Sequence, residues 1–281
     1  MDTYNIVSQK TAKLVTNYYS NSFGLATRLF TPEIRGDIYN IYGLVRIADE
    51  IVDTYSGQDA ISQIEMLECE VYDAIKRNFS SNLIVHAFQL TANKRSIDKT
   101  LIEPFFYSMK LDTKSQQFDK VLYDKYIDGS AEVVGLMCLK VFVNTMAEFK
   151  SLEPGARALG SAFQKVNFLR DIVFDFEELN RFYFPDCSYE NFDDKDKEII
   201  VLDIKKDFTD ALPAINKLPS GARPAVISAY EYYWRLLGKL DKSSVAGIKK
   251  KRIRVNNAIK LNLLGKNLVT NKLRRTKSDK K

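Results

Sequence analysis

Apolar residues recur at three- and four-residue spacing along most of the chain, and glycine and proline are scarce. That period stacks side chains on one face of a helix, so the pattern predicts an all-α protein. Thr31-Pro32-Glu33 marks one helix start: Thr31 in the capping position, proline in the first turn, and an acid that complements the helix dipole. The helix that follows is predicted to run through Ile38, Tyr42, Val45 and Asp49 to about Tyr55, with Ser56-Gly57 as its stop. Further helices are expected from Asp59 to Asn78 and at about 80–93, 97–110 and 119–148. Gly129 and Gly135 fall inside the last of these. At roughly 1 kcal/mol each relative to alanine, they point to a close approach or a kink. Glu153-Pro154-Gly155 is read as the opening of a helix that reaches about Glu178. The polar, aromatic stretch from Asn180 to Asp196 reads as a loop that could cover a site. Helices are expected to resume at about 197–217, 222–240 and 252–272. No repeat or low-complexity linker divides the chain, so a single domain over residues 1–281 is expected, with a disordered basic end at about 273–281.

Two segments interrupt the apolar pattern in the same way. One is Arg46-Ile47-Ala48-Asp49-Glu50-Ile51-Val52-Asp53, the other Asn167-Phe168-Leu169-Arg170-Asp171-Ile172-Val173-Phe174-Asp175. Each puts two carboxylates at i and i+4, on one helical face a turn apart, with an arginine just upstream. A single such pair usually faces solvent. Two pairs facing each other across a bundle can share hard cations, which in turn can hold diphosphate. Magnesium suits such oxygen donors, with manganese as the alternative ion, and would neutralise a diphosphate leaving group as a C–O bond breaks. Arg46 and Arg170 could bind diphosphate oxygens through the guanidinium fork. Tyr42 lies two turns before Asp49 on the same face, and Gln164 and Asn167 continue the stripe that carries Asp171 and Asp175. Polar residues aligned on a face that should be buried need a reason, and a site supplies one.

Composition narrows the chemistry. The chain has 281 residues, is 45% hydrophobic and carries a net charge of +6. Much of the excess lies in Lys249–Arg254 and in the last ten residues, a distribution suited to an anionic lipid surface. Acidic clusters interrupt it and no nucleic-acid motif appears, so no nucleic-acid partner is expected. Three widely spaced cysteines imply no disulfide framework and fit a reducing compartment. His86 is the only histidine, which disfavours a serine–histidine triad or a two-histidine zinc site and suggests a structural role. No run of about 18 apolar residues is present. A cytoplasmic location is expected, with peripheral contact at the inner face of the cytoplasmic membrane.

These segments resemble the squalene/phytoene synthase family, the head-to-head prenyl synthases. The resemblance extends over roughly Val15 to Lys260 and rests on three ordered blocks. The first is Tyr19-Ser20-Asn21-Ser22-Phe23, then Pro32, Arg35, Ile41-Tyr42-Gly43-Leu44-Val45-Arg46 and the first aspartate motif. The second is Tyr126-Ile127-Asp128-Gly129-Ser130-Ala131-Glu132-Val133-Val134-Gly135. The third runs from Leu159 through Gln164, Asn167, Asp171 and Asp175 to Arg181-Phe182-Tyr183-Phe184-Pro185. The resemblance implies an isoprenoid-synthase helical bundle with a central cavity. It implies that Asp49, Asp53, Asp171 and Asp175, with Asn167, hold magnesium and diphosphate. Ser20, Ser22, Arg46, Gln164, Arg170, Arg181 and Tyr183 would bind diphosphate, and Phe23, Tyr42, Tyr126 and Tyr233 would line the prenyl channels. The implied chemistry joins two prenyl diphosphates through a cyclopropylcarbinyl diphosphate. The Asp49-Glu50-Ile51-Val52-Asp53 form and the Arg252-Ile253-Arg254-Val255 element resemble the phytoene-forming branch. That branch takes geranylgeranyl diphosphate, opens carotenoid synthesis and needs no NADPH. The alternatives are a dehydrosqualene or squalene synthase acting on farnesyl diphosphate, and a non-catalytic relative. Two departures stand out: Ile172-Val173-Phe174 in place of the usual Val-Gly-Glu, and Asn180 in place of glycine or glutamate before Arg181. The sequence carries no signature of oligomeric state.

Overall fold

The computed structural model describes residues 1–19, 24, 26–55, 59–114, 117–256 and 265–267. It is helical, as the apolar period predicts, and no strand occurs among the described residues. In chain order the helices are α1 (Asp2–Tyr19), α2 (Pro32–Asp53), α3 (Ala60–Arg77), α4 (Leu83–Arg95), α5 (Lys99–Asp112), α6 (Lys120–Ile127), α7 (Val133–Phe142), α8 (Met146–Glu177), α9 (Asp194–Lys217), α10 (Arg223–Lys242) and α11 (Val245–Lys250). Two apolar cores lie side by side. One packs α2, α3, α4, α5 and α7 around Ile41, Leu44, Phe88, Phe105 and Met137. The other packs α6, α8, α9 and α10 around Tyr126, Val166, Leu169, Phe208 and Leu237. α2 and α8 face each other where the two cores meet, and the cavity described below opens there.

The expected 119–148 helix is broken. A π-helical turn at Asp128–Glu132 separates α6 from α7, and such turns often mark functional sites. Gly129 permits it: a Cβ there would sit 2.1 Å from the Pro104 carbonyl oxygen on α5. Gly160 permits the next contact, since its Cβ would lie 2.6 Å from the Ala131 carbonyl oxygen. The π turn therefore presses directly onto α8, one turn before Gln164. A larger residue at Gly129 would push the turn off α5, and one at Gly160 would push α8, with the polar stripe it carries, off the turn.

α8 begins at Met146, well before the expected Glu153. Thr145 and Glu148 form a reciprocal capping box, which is a stronger start signal than Pro154, and the proline is absorbed into the helix. The loop after α8 spans 178–193, close to expectation. Asn180 there has φ 52°, a left-handed conformation that asparagine tolerates better than most residues. Its departure from the usual pattern is thus accommodated by the backbone. The expected 252–272 helix is not seen at 252–256, which are non-helical. Arg252 is drawn to Asp171, and Lys239 donates to the Arg254 carbonyl at 2.9 Å, fixing the segment across α10. Residues 265–267 are helical, and the basic end at 273–281 lies outside the described residues.

His86 is fully buried, as a structural reading requires. Its ring bonds Asn5 Oδ1 at 2.8 Å and accepts from the Ser80 N–H at 3.3 Å, joining α1 to the start of α4.

Candidate active site

Thirteen of the sixteen residues singled out from the sequence line a single cavity of about 610 Å³. The other three, Ser20, Ser22 and Phe23, lie outside the described residues. α2 supplies Tyr42, Arg46, Asp49 and Asp53; α8 supplies Gln164, Asn167, Arg170, Asp171 and Asp175. Tyr126 comes from α6, Tyr233 from α10, and Arg181 and Tyr183 from the loop after α8.

Helical phase explains the two stripes. On α2, Ile38, Ile41, Leu44 and Ala48 are buried in the first core, which turns Asp49 and Asp53 towards the cavity. On α8, Ala162, Val166, Leu169 and Ile172 are buried in the second core, leaving Gln164, Asn167, Asp171 and Asp175 on the cavity side. The unusual Phe174 points away and is exposed, so the altered residues between the aspartates leave the carboxylates in place.

Arg181 ties the two motifs together. Its side chain donates to Asp53 Oδ1 at 2.7 Å and to the Val52 carbonyl at 2.6 Å, and its backbone N–H donates to the Asp175 carbonyl at 2.7 Å. Asp171 is held twice: Arg170 pairs with both of its oxygens, and Arg252 approaches the same oxygens at 2.7 and 2.9 Å. Arg46 bonds Glu50, stands 3.7 Å from Asp49 and lies over the Tyr19 ring at 4.4 Å.

The remaining two aspartates are held less closely, Asp49 by Arg46 at 3.7 Å alone. Burial pushes the Asp49 carboxyl up to about 8, and the charge of Asp53 adds to it. Its side chain keeps 35% of its surface in contact with solvent, so burial here means depth below the cavity mouth rather than dryness. Asp175 is also pushed up to about 8, by burial first and then by Asp171. Acids crowded at this density call for a cation. Among the described residues no three metal-binding side chains gather tightly enough to hold an ion alone.

Sequence reasoning missed Asp112. It is buried at the end of α5 and accepts from the Tyr126 hydroxyl at 2.6 Å and the Tyr183 hydroxyl at 3.0 Å. Burial and the Asp112 charge hold both phenols well above the ordinary tyrosine range, so they stay neutral donors. A signal existed: Asp112 continues the buried Phe105–Met109 stripe of an otherwise apolar face. Arg252 and Tyr19 were also not assigned to the cavity, and each is brought there by a tertiary contact.

A second cavity of about 310 Å³ is mostly apolar, with Phe30, Ile41, Val134, Leu139 and Phe142 among its walls. It shares Tyr42, Gln164, Asn167 and Tyr233 with the first, so the charged mouth and the apolar space meet at these residues. Tyr233 donates to Asn167 Oδ1 at 3.3 Å and stacks on Phe163 at 4.2 Å.

The chain resembles known proteins along this whole arrangement. It is 30% identical over 175 residues to the chloroplastic phytoene synthase of Narcissus pseudonarcissus, covering 59% of this chain and 40% of that one. It is 26% identical over 271 residues to phytoene synthase 2 of Oryza sativa subsp. japonica, covering 86% and 65%. The matched stretch thus spans less than two thirds of the length of these curated relatives. Among solved structures, a dehydrosqualene synthase in complex with ligand superposes with a TM-score of 0.78 at 19% identity, over 95% of this chain and 98% of that one. The squalene synthase HpnC of Alicyclobacillus acidocaldarius gives 0.73 at 15% identity, over 83% and 92%. At these identities the structural matches speak for the fold, the helical isoprenoid-synthase arrangement. A squalene/phytoene synthase family model matches residues 16–258, which include both aspartate motifs and the segment between them, and the chain belongs to that family.

Proposed function

We propose that this chain is a magnesium-dependent prenyltransferase that condenses two geranylgeranyl diphosphates head-to-head to phytoene and two diphosphates, the first step of carotenoid synthesis. The observation that carries the proposal is the junction of two unlike spaces. Two opposed aspartate motifs line a polar cavity, and the polar cavity shares four site residues with an apolar one. A prenyl diphosphate has the same two halves. The curated relatives named phytoene synthase favour the C20 substrate.

Asp49, Asp53, Asp171 and Asp175, with Asn167, would hold the metal ions. Bound magnesium would neutralise diphosphate oxygens and stabilise the leaving group. The chain's own residues do the rest. Arg46, Arg170 and Arg181 bring fixed positive charge to the diphosphate and orient it. Gln164 and Asn167 position it by hydrogen bonds where the two cavities meet. Asp112 accepts hydrogen bonds from the Tyr126 and Tyr183 hydroxyls, so their oxygen lone pairs are left to face positive charge developing on the prenyl carbon. Phe163, Tyr233 and Phe168 offer aromatic faces to the same charge. The apolar walls keep water from the cation, which would otherwise be trapped as an alcohol. The final cation loses a proton, so no reductant is consumed.

The test is a product assay with geranylgeranyl and farnesyl diphosphates in competition, with magnesium and without NADPH. A C40 hydrocarbon is the expected product. A C30 hydrocarbon alone would reassign the chain as a dehydrosqualene-forming enzyme, a product that forms only with NADPH would reassign it as a squalene synthase, and no condensation of either substrate would sink the enzymatic reading.

A further inference from the structure

α1 presents its apolar residues the wrong way round for a helix that only packs on a core. Its fully buried positions are Ser8, Ala12 and Thr16, one turn apart. Small residues are needed there, because Ala12 meets Gly43 of α2 so closely that a Cβ on Gly43 would lie 3.2 Å from it. Val15 and Tyr4 are half-buried beside them, but other large residues face out. Val7, Leu14 and Tyr18 share one outer face and are 43%, 57% and 83% exposed. Ile6 is exposed beside them. Of the 15 exposed large apolar residues described, 6 lie in the first 19 positions.

A basic pocket borders this face. Lys13, Asn17, Arg28, Arg35 and Tyr39 enclose about 450 Å³, with no carboxylate in the wall. None of the three cations has an ion-pair partner among the described residues. Lys10 and Lys13 run along the flank of the Val7–Leu14–Tyr18 stripe. The end of the same helix reaches the candidate active site, where Tyr19 lies against Arg46 and lines the cavity. No described helix is long and apolar enough to cross a membrane, so contact with a bilayer would be made from its surface.

We propose that α1 and the Lys13–Arg28–Arg35 pocket form a docking surface for an anionic bilayer, with Val7, Leu14 and Tyr18 among the acyl chains and a phospholipid phosphate in the pocket. An outward apolar face flanked by lysines has the composition of an interfacial helix, and each basic residue near an anionic surface adds to the attraction. Charge disfavours a second copy as the occupant. A two-fold contact through this face would set Lys10, Lys13, Arg28 and Arg35 against their own equivalents. Docking would place Tyr19 and the cavity mouth at the interface where a prenyl chain resides. The inference does not depend on the proposed reaction, because docking is read without turnover.

The test is co-sedimentation of the full chain with vesicles of phosphatidylcholine alone or mixed with phosphatidylglycerol. Binding is expected only to the mixed vesicles. The double substitution Leu14→Ser with Tyr18→Ser should reduce partitioning about tenfold or more, from the apolar area lost. Lys13→Glu with Arg28→Glu should reduce it at least about thirtyfold at low salt, since two attractions are lost and two repulsions added. All four side chains are exposed, so far-ultraviolet circular dichroism should not change. Asp49→Asn, which targets the candidate active site, should bind vesicles like the unaltered chain. Undiminished binding by both double variants would overturn the proposal and assign the attraction to another surface. A dimer in light scattering that Leu14→Ser with Tyr18→Ser dissociates would overturn it in favour of a second copy. Protection of the pocket by inorganic phosphate without any vesicle binding would overturn it in favour of a small-anion site.

Discussion

The two aspartate motifs have the same spacing but are neutralised in opposite order. On α2 the second carboxylate, Asp53, is paired with Arg181, while the first, Asp49, is pushed up to about 8. On α8 the first, Asp171, is clamped by Arg170 and Arg252, while the second, Asp175, is pushed up to about 8. Each motif therefore keeps one acid satisfied and one acid short of positive charge. The difference comes from partners remote in sequence. Arg181 reaches Asp53 across 128 positions, and Arg252 reaches Asp171 across 81. Local spacing places the carboxylates, and tertiary contacts decide which of them is closely paired with an arginine.

Substituting one acid in each motif should affect activity most. Asp49→Asn and Asp171→Asn should each lower kcat by about a thousandfold, the loss typical of removing one electrostatic contact to a transition state. Asp49→Asn should fold, since burial and Asp53 crowd its charge, and a melting temperature measured on Asp171→Asn separates lost catalysis from the loosened arginine clamp. Full activity in either variant would end the claim that the motifs act together.

Next comes the link between the motifs. Arg181→Ala should destabilise the chain by about 2–3 kcal/mol in urea titrations, less than a fully buried pair costs because Asp53 is one-third exposed. A loss under about 0.5 kcal/mol, the range of ordinary surface substitutions, would show that the arginine does not couple the motifs.

A third effect is in pH dependence. A carboxyl raised in the folded chain keeps a proton that the unfolded chain has lost, so its stabilising share is complete below about pH 4 and fades as pH rises towards 8. The metal-free chain should therefore melt at a lower temperature at pH 8 than at pH 5, by an amount that Asp49→Asn reduces. Magnesium with inorganic diphosphate should restore the loss at pH 8. A melting temperature flat across that window would mean that Asp49 and Asp175 are not crowded.

The all-helical class and both polar stripes were legible because a 3.6-residue period links spacing to facing. Where sequence reading failed, contacts between distant segments decided the outcome. The π turn at 128–132 depends on Gly129 meeting Pro104 of another helix. The start of α8 depends on a capping box that outweighs Pro154. Asp112 gave no spacing signal towards Tyr126 or Tyr183, and only the fold brings their hydroxyls to it. α1 itself was not read as a helix, because its buried positions, Ser8, Ala12 and Thr16, are small and leave no apolar stripe to count.

The central claim is that α2 and α8 grip one group of cations around a shared diphosphate. Crystals soaked with manganese and inorganic diphosphate test it directly through anomalous scattering. Peaks beside Asp49 and Asp53 and beside Asp171 and Asp175, bridged by one diphosphate, are predicted. Peaks confined to one motif, or a diphosphate bound away from both, would contradict the account.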